Sequence, residues 1–509
     1  MNKIRIFLIT VLGLLWFTAC GGAPSFSLGG TISGLGEGKG ILLRESVSGQ
    51  RVVAVEDGSF AFEQKLSGGA SYKVEIEINP AAQGCVIKNG EGVVGSANID
   101  NIKVICGDSG TVDKSFGNVG VFIEPMIVLP IEINSMTIQP DGKILAAGQY
   151  YNSDTDKQSL IILRTDADGV LDGSFANGGK FRPASDYWQA GYYIQLLDDG
   201  SILAGGTSSS SGYDFFLLKL NPSGQPDPGF GVNGSVITDF DGGYDRLLAA
   251  FPDSNGGYLA VGTARVGGVR TLGIVRYAAN GSPVAEFGVG GKRHVDCPLG
   301  TGYLALMRAI SQPDGKIVLV GTSQSAADDY DLLLVRINPD GSIDNGFGTN
   351  GWVSIDYGGE SEKGLGLALQ PDGKIIAVGY QDDDGDYRAM AVRVNPDGSV
   401  DESFGSSGFV FTDFGGERDR FVAAAIQPDG KIVIAGVKRV VGENDKIAMV
   451  RLLDDGRFDY DFGDIGKSVV EFAGNGKDIP NTLLIQPDGR ILVGGERLGR
   501  ALLMTRFWH

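Results

Sequence analysis

Each apolar run that reads as the third strand of a repeated unit ends in a cation: Arg164, Lys219, Arg276, Arg336, Arg393, Arg451 and Arg506. A ring of such groups could bind anions. Most, however, are followed by a turn bearing an aspartate, such as Asp344, Asp401 or Asp459, and an Arg–carboxylate pair with bidentate geometry locks a turn. The recurring Pro-Asp-Gly turns resemble a calcium code only superficially. Asp followed by Gly is what a hairpin bend requires, and the alternating ligands of a calcium loop are missing. One loop differs: Asp382, Asp384 and Asp386 crowd their carboxylates together, so calcium is the one cofactor the sequence suggests, set against a solvated acidic hairpin tip.

Histidine chemistry is nearly excluded. The chain has only His294 and His509, which rules out metal sites built from several imidazoles and most imidazole acid–base catalysis. His294 and Cys297 have the spacing of a reactive dyad but lack a third, orienting group, so an unpaired loop thiol is the simpler reading and no catalytic residue is assigned.

The remaining candidates lie in loops. Connections from a unit's fourth strand to the next first strand carry Asp245 and Arg246, Glu362 and Lys363, Asp419 and Arg420, and Asp478, and these form the candidate ligand-binding set. Second-to-third connections, among them residues 208–213, 265–270, 323–330 and 381–387, differ from unit to unit. Alternating strand direction puts both kinds of loop on one side, where binding residues are expected on a rigid frame.

The elements that must position these residues come from a repeat. The turn at residues 139–143 returns at 312–316, 370–374, 427–431 and 486–490, with looser copies at 197–201 and near 252–258. The period is about 58 residues. Each unit has four strand-like segments, and the second and third are continuous apolar runs, such as residues 375–378 and 389–392, as expected of strands covered on both faces. Four-stranded sheets stacked at this period describe an all-β, seven-bladed β-propeller over residues 112–509. Residues 112–116 match the turn that follows a third strand, so the region opens with an orphan fourth strand near 120–124, and the last unit ends without one. That permutation predicts a ring closed by pairing the termini, which removes exposed strand edges.

At these residues a family is recognisable. The run 338–344, then Phe347-Gly348, then 370–374 resembles the bacterial delta-60 repeat. The resemblance implies a propeller in exported or cell-surface proteins, with no common activity. Trp188, Trp352 and Trp508 are too few for the stacked indoles of quinone-dependent propeller enzymes.

Ahead of the repeats, Lys3 and Arg5 precede an apolar run at residues 6–17, too short to span a bilayer and fitting an export signal over residues 1–19. Phe17-Thr18-Ala19-Cys20 resembles a bacterial lipobox, which implies lipidation of Cys20, a short linker over 20–25 and attachment to the membrane through the lipid. Neither Gly21 nor Gly22 is an aspartate, which favours the outer membrane. Residues 26–107 hold six or seven short strands and read as a small immunoglobulin-like β-sandwich. Cys85 and Cys106, the only cysteines of that segment, are expected to pair in an exported chain.

A net charge of -19 over 509 residues, with no basic block after the N-terminus, argues against nucleic acid. The reading is a lipid-anchored binding module for a glycan or protein ligand. A glycan-active lyase or hydrolase using Asp245, Glu362 or Asp419, and an assembly scaffold, are the rivals.

Overall fold

The computed structural model describes residues 24–125, 132–152, 155–183, 187–210, 212–299, 303–326, 329–472, 477–498 and 501–509. The expected signal and Cys20 therefore lie outside the described residues. The chain is all-β, and no helix among the described residues is long and apolar enough to cross a membrane. It divides into two units, residues 1–80 with 85–106, and residues 81–84 with 107–509.

The smaller unit has two four-stranded sheets, one built on Leu28–Ser33 and Ile99–Asp108 paired in parallel, the other on Ile41–Glu45 and Ser71–Ile78. Alternating residues, Leu28, Ile32, Leu43, Val74, Ile102 and Val104 among them, fill its core. Cys85 and Cys106 form a disulfide inside that core. Cys85 is carried by the strand Gln83–Lys88.

In the larger unit the repeats become antiparallel four-stranded sheets, seven among the described residues. Their first strands, in chain order, are Glu132–Ile138, Gln189–Leu196, Arg246–Pro252, Leu304–Ser311, Ser361–Leu369, Arg420–Ile426 and Lys477–Ile485. Each first strand touches the next, and the last touches the first. The seventh sheet takes its fourth strand, Val121–Pro125, from the beginning of the repeats, pairing Val121 with Thr505 and Phe122 with Met504 of Ala501–Phe507. The second and third strands are buried on both faces, for example Ile375, Ile376, Ala377 and Val378 in the fifth sheet. This is the burial that continuous apolar runs demand.

The recurrent turn motif is a clasp between neighbouring sheets. At the end of the third strand, Arg393 Nε donates to Asp401 at 2.7 Å, and Arg336 and Arg451 do the same to Asp344 and Asp459. Another arm of the guanidinium crosses to the next sheet's turn, where Arg336 Nη1 donates to the Pro396 carbonyl at 2.6 Å and Arg164 Nη1 to Pro222 at 2.7 Å. Backbone bonds run alongside, from Gly348 N to Asp397 O and from Gly405 N to Asp455 O. The guanidinium also stacks on the phenylalanine of its own turn, Arg393 on Phe404 at 4.7 Å. At the ring junction Arg506 pairs with Asp113 and donates to the Ala167 carbonyl, so the same clasp joins chain end to chain beginning. Burial would raise the Asp401 carboxyl, but the Ser403 hydroxyl, Lys374 and Arg393 outweigh it and hold the group well below the usual carboxylate range. The cation ring is thus a structural joint.

Candidate functional site

A second repeated device shapes the channel side. Every one of the seven first strands carries a β-bulge, opposite a glycine of the second strand: Gly148, Gly206, Gly262, Gly321, Gly379, Gly436 and Gly495. A Cβ at any of these glycines would stand 1.8 to 2.2 Å from a carbonyl oxygen of the first strand. Only glycine permits that approach. The bulge residues, including Asn134, Tyr192, Val422 and Asn481, then point into the central channel.

The four candidate carboxylates have a different task from the one expected of them. Asp245, Glu362, Asp419 and Asp478 are all buried. Each accepts a hydrogen bond from the backbone of its own loop: Asp245 from Phe240 N, Glu362 from Tyr357 N, Asp419 from Phe414 N and Gly416 N, and Asp478 from Phe472 N. Asp245 also accepts from Arg265 N on the second strand of the same sheet, Asp419 from Arg439 N just past the end of its second strand, and Glu362 from the Gln381 amide. They brace the loop rather than face a ligand. Burial raises all four, the Glu362 carboxyl up to about 7, those of Asp245 and Asp478 up to about 6, and that of Asp419 in the same direction. The recurring signal is visible at 239–245, 356–362 and 413–419, where an acid, the aromatic after it and a final acid keep one spacing around a glycine pair that shifts by one residue in the first copy.

The calcium reading of Asp382, Asp384 and Asp386 is also corrected. Asp383 pairs with Asp386 across a two-residue turn in which Asp384 has φ 50°, and Asp382 accepts from Gly385 N. The pleat sends successive side chains to opposite faces, so these carboxylates are not gathered. Among the described residues the fold brings together Asp214, Asp239 and Asp245 instead, with ligand oxygens within 4.8 Å of one another. All-oxygen donors of this kind suit a hard cation. Two oxygens of Asp245 are already engaged by backbone N–H groups. Cys297 donates to the Leu299 carbonyl, and burial pushes its thiol up, away from the thiolate a dyad with His294 would need.

The cationic half of the candidate set does converge. Arg246, Lys363 and Arg420 occupy the same position of three first strands, the one paired just ahead of the bulge, and Glu132 holds that position in the first sheet. Arg308 reaches in from the fourth sheet and donates to Asn481 O at 2.9 Å and Asn134 O at 3.4 Å, spanning the channel. Arg308 itself lines a cavity of about 130 Å³ together with Tyr193, Leu248, Leu367 and Leu483 among others. Burial first, then Arg246, pushes Arg308 down to about 10, against the pull of Glu132. Glu496, across from Ile479 on the seventh sheet, is pushed up to about 7 by burial and by Glu132, while Arg420 opposes this. Lys363 lies over the rings of Tyr330 and Tyr380, and Arg246 over Tyr192 at 4.0 Å.

Among the described residues no carboxylate lies within ion-pair distance of Arg246, Arg308 or Arg420, and Arg246 Nε is a buried donor without a hydrogen-bond acceptor. The clasp arginines Arg164, Arg336, Arg393, Arg451 and Arg506 each donate Nε to an aspartate, whereas Arg276 Nε also lacks a hydrogen-bond acceptor but lies 3.4 Å from Asp253 Oδ2. Sequence reasoning missed Arg308, Glu132, Glu496 and Tyr192. Arg308 had a signal: equivalent positions one past the bulge hold Ser135, Tyr193, Ala249, Gly366, Ala423 and Thr482.

A ring of four-stranded meanders around a narrow channel, joined by repeated turns, defines a β-propeller. Residues 139–175, 197–230, 312–347, 370–404 and 427–462 match the family described as "Domain of unknown function (DUF5122) beta-propeller", and the chain is accordingly a β-propeller repeat protein. No curated protein matches it. Among solved structures, virginiamycin B lyase from Staphylococcus aureus is 11% identical, with 76% of this chain and 98% of that chain covered at a TM-score of 0.45. Drosophila Semaphorin 2a is 8% identical over 78% and 76%, TM-score 0.45, and polysaccharide lyase Uly1 10% identical over 74% and 90%, TM-score 0.41.

Proposed function

We propose that this protein is an exported, lipid-anchored binding module of the bacterial cell envelope, a seven-bladed propeller of the delta-60 type over residues 112–509 behind a small immunoglobulin-like sandwich over 26–107. Its ligand sits at the channel mouth on the side of the variable loops. The observation that carries this reading is the trio Arg246, Arg308 and Arg420, cations without carboxylate partners in a chain of net charge -19. Burying a charge without a partner is costly, and a site that meets an anion offsets the cost. The pairing of Val121–Pro125 with the last strand supports the seven-bladed count. Export is supported by the Cys85–Cys106 disulfide, a bond of oxidising compartments. Cys20 would carry the lipid, on the outer membrane.

The glycan-active enzyme remains as a second reading on one observation. Glu496, raised to about 7, neighbours Glu132, and carboxyls of unequal acidity are the groups an acid–base mechanism uses. Asp245, Glu362 and Asp419 no longer serve it. Two experiments test the proposal. Fatty-acid labelling of the full chain should be lost in Cys20→Ser, and unaltered labelling removes the anchor. A screen of the full chain against immobilised glycans and peptides should give binding that Arg246→Gln abolishes, and turnover of a bound glycan that stops in Glu496→Gln would move the assignment to the enzyme.

A further inference from the structure

The path that leads off the mouth is aromatic. Arg246 covers the ring of Tyr192, and the hydroxyl of Tyr192 interacts with that of Tyr244. The Tyr244 ring lies 5.0 Å from that of Tyr213, which lies 5.5 Å from Trp188. Tyr213 and Tyr244 are 43% and 41% exposed, so much of their ring surface meets solvent. Trp188 is held in place: its N–H meets the Ser209 hydroxyl, its carbonyl accepts from Ser209 N, and its indole donates to Gln158 at 2.7 Å. The rings are fixed before any ligand arrives, which lowers the ordering cost of binding.

We propose that the ligand is an acidic oligosaccharide. Its carboxylate or sulfate meets Arg246, Arg308 and Arg420, and its adjoining sugar rings lie along Tyr244, Tyr213 and Trp188. This rests on the channel mouth being the binding site. Guanidinium groups recognise planar or tetrahedral oxyanions, and the C–H faces of a pyranose pack on aromatic rings while its hydroxyls stay hydrated. An acidic peptide fits the same cations less well. Peptides are held by free strand edges or apolar helix grooves, whereas the backbone along this path is already paired, Asp245 N with Tyr213 O and Ser209 N with Trp188 O.

The test is calorimetric titration of the full chain with four probes: oligogalacturonate, sulfated galactan oligosaccharides, neutral galactan oligosaccharides and polyglutamate. One of the two acidic sugars should bind, and which one separates carboxylate from sulfate. Neutral sugar and polyglutamate should bind at least about ten-fold more weakly. Arg246→Gln and, separately, the exposed pair Tyr213→Ala with Tyr244→Ala should each weaken the acidic sugar by about ten-fold or more. The tyrosine pair keeps the test decisive if the arginine variant fails to fold. Polyglutamate bound as tightly as the acidic sugars, with no effect of the tyrosine variant, overturns the oligosaccharide and leaves the anion-binding mouth standing. No binding of any anion overturns both.

Discussion

Asp245, Glu362, Asp419 and Asp478 show how far one residue's environment decides its role. The sequence reads as loop around them, yet Glu362 and Asp478 lie at the start of first strands, and all four prove to be loop braces whose oxygens receive backbone N–H groups. Burial raises the Glu362 carboxyl to about 7 and those of Asp245 and Asp478 to about 6, above the value of about 4 in an unfolded chain. Between roughly pH 4 and pH 7 the folded state therefore holds more protons than the unfolded one, and stability falls as pH rises through that window. The clasp carboxylates are depressed and act in the opposite sense, losing their contribution only as pH falls below about 4. Thermal melts should thus show a higher midpoint at pH 5 than at pH 8, and Glu362→Gln should flatten the difference. A midpoint that rises steadily to pH 8 would contradict this account.

At the scale of the element, the clasp and the bulge were unequally legible. Continuous apolar runs marked the second and third strands, and the Arg–Asp spacing announced the pair inside each turn. What the linear pattern did not show is that Arg336 and Arg164 also reach a carbonyl 60 and 58 residues away, because that partner belongs to the next repeat. Nor was the bulge visible, since a first strand reads as apolar residues broken by polar ones whichever face each occupies. The repeated second-strand glycine was its trace. Arg393→Ala leaves Asp401 with Lys374 as its remaining cation and removes the bond to the Asp454 carbonyl of the next sheet, and should cost about 3 kcal/mol in denaturant unfolding. Gly436→Ala sets a Cβ 2.1 Å from the Arg420 carbonyl and should cost about 1 to 3 kcal/mol, by strain rather than lost burial. Near-neutral outcomes for either would mean that these repeats are held by apolar packing alone.

For the whole molecule, the two faces of the ring carry different kinds of connection. Turns that repeat nearly verbatim form the clasps, and loops that vary surround the mouth, where Arg246, Arg308, Lys363, Arg420, Glu132 and Glu496 come together from six different sheets. No sequence window could have shown that convergence, because closure of the ring brings the first sheet beside the seventh. The mouth arginines are proposed to serve a ligand and not the fold. Arg420 tests this most directly: burial lowers its affinity for a proton, and it makes no ion pair among the described residues. The decisive measurement is the melting midpoint and the oligogalacturonate affinity of Arg420→Met taken together. Removing a half-buried cation that makes no ion pair should hold or raise the midpoint while binding weakens by about ten-fold or more. A fall in midpoint with binding unchanged would show Arg420 to be one more structural cation and would contradict the account.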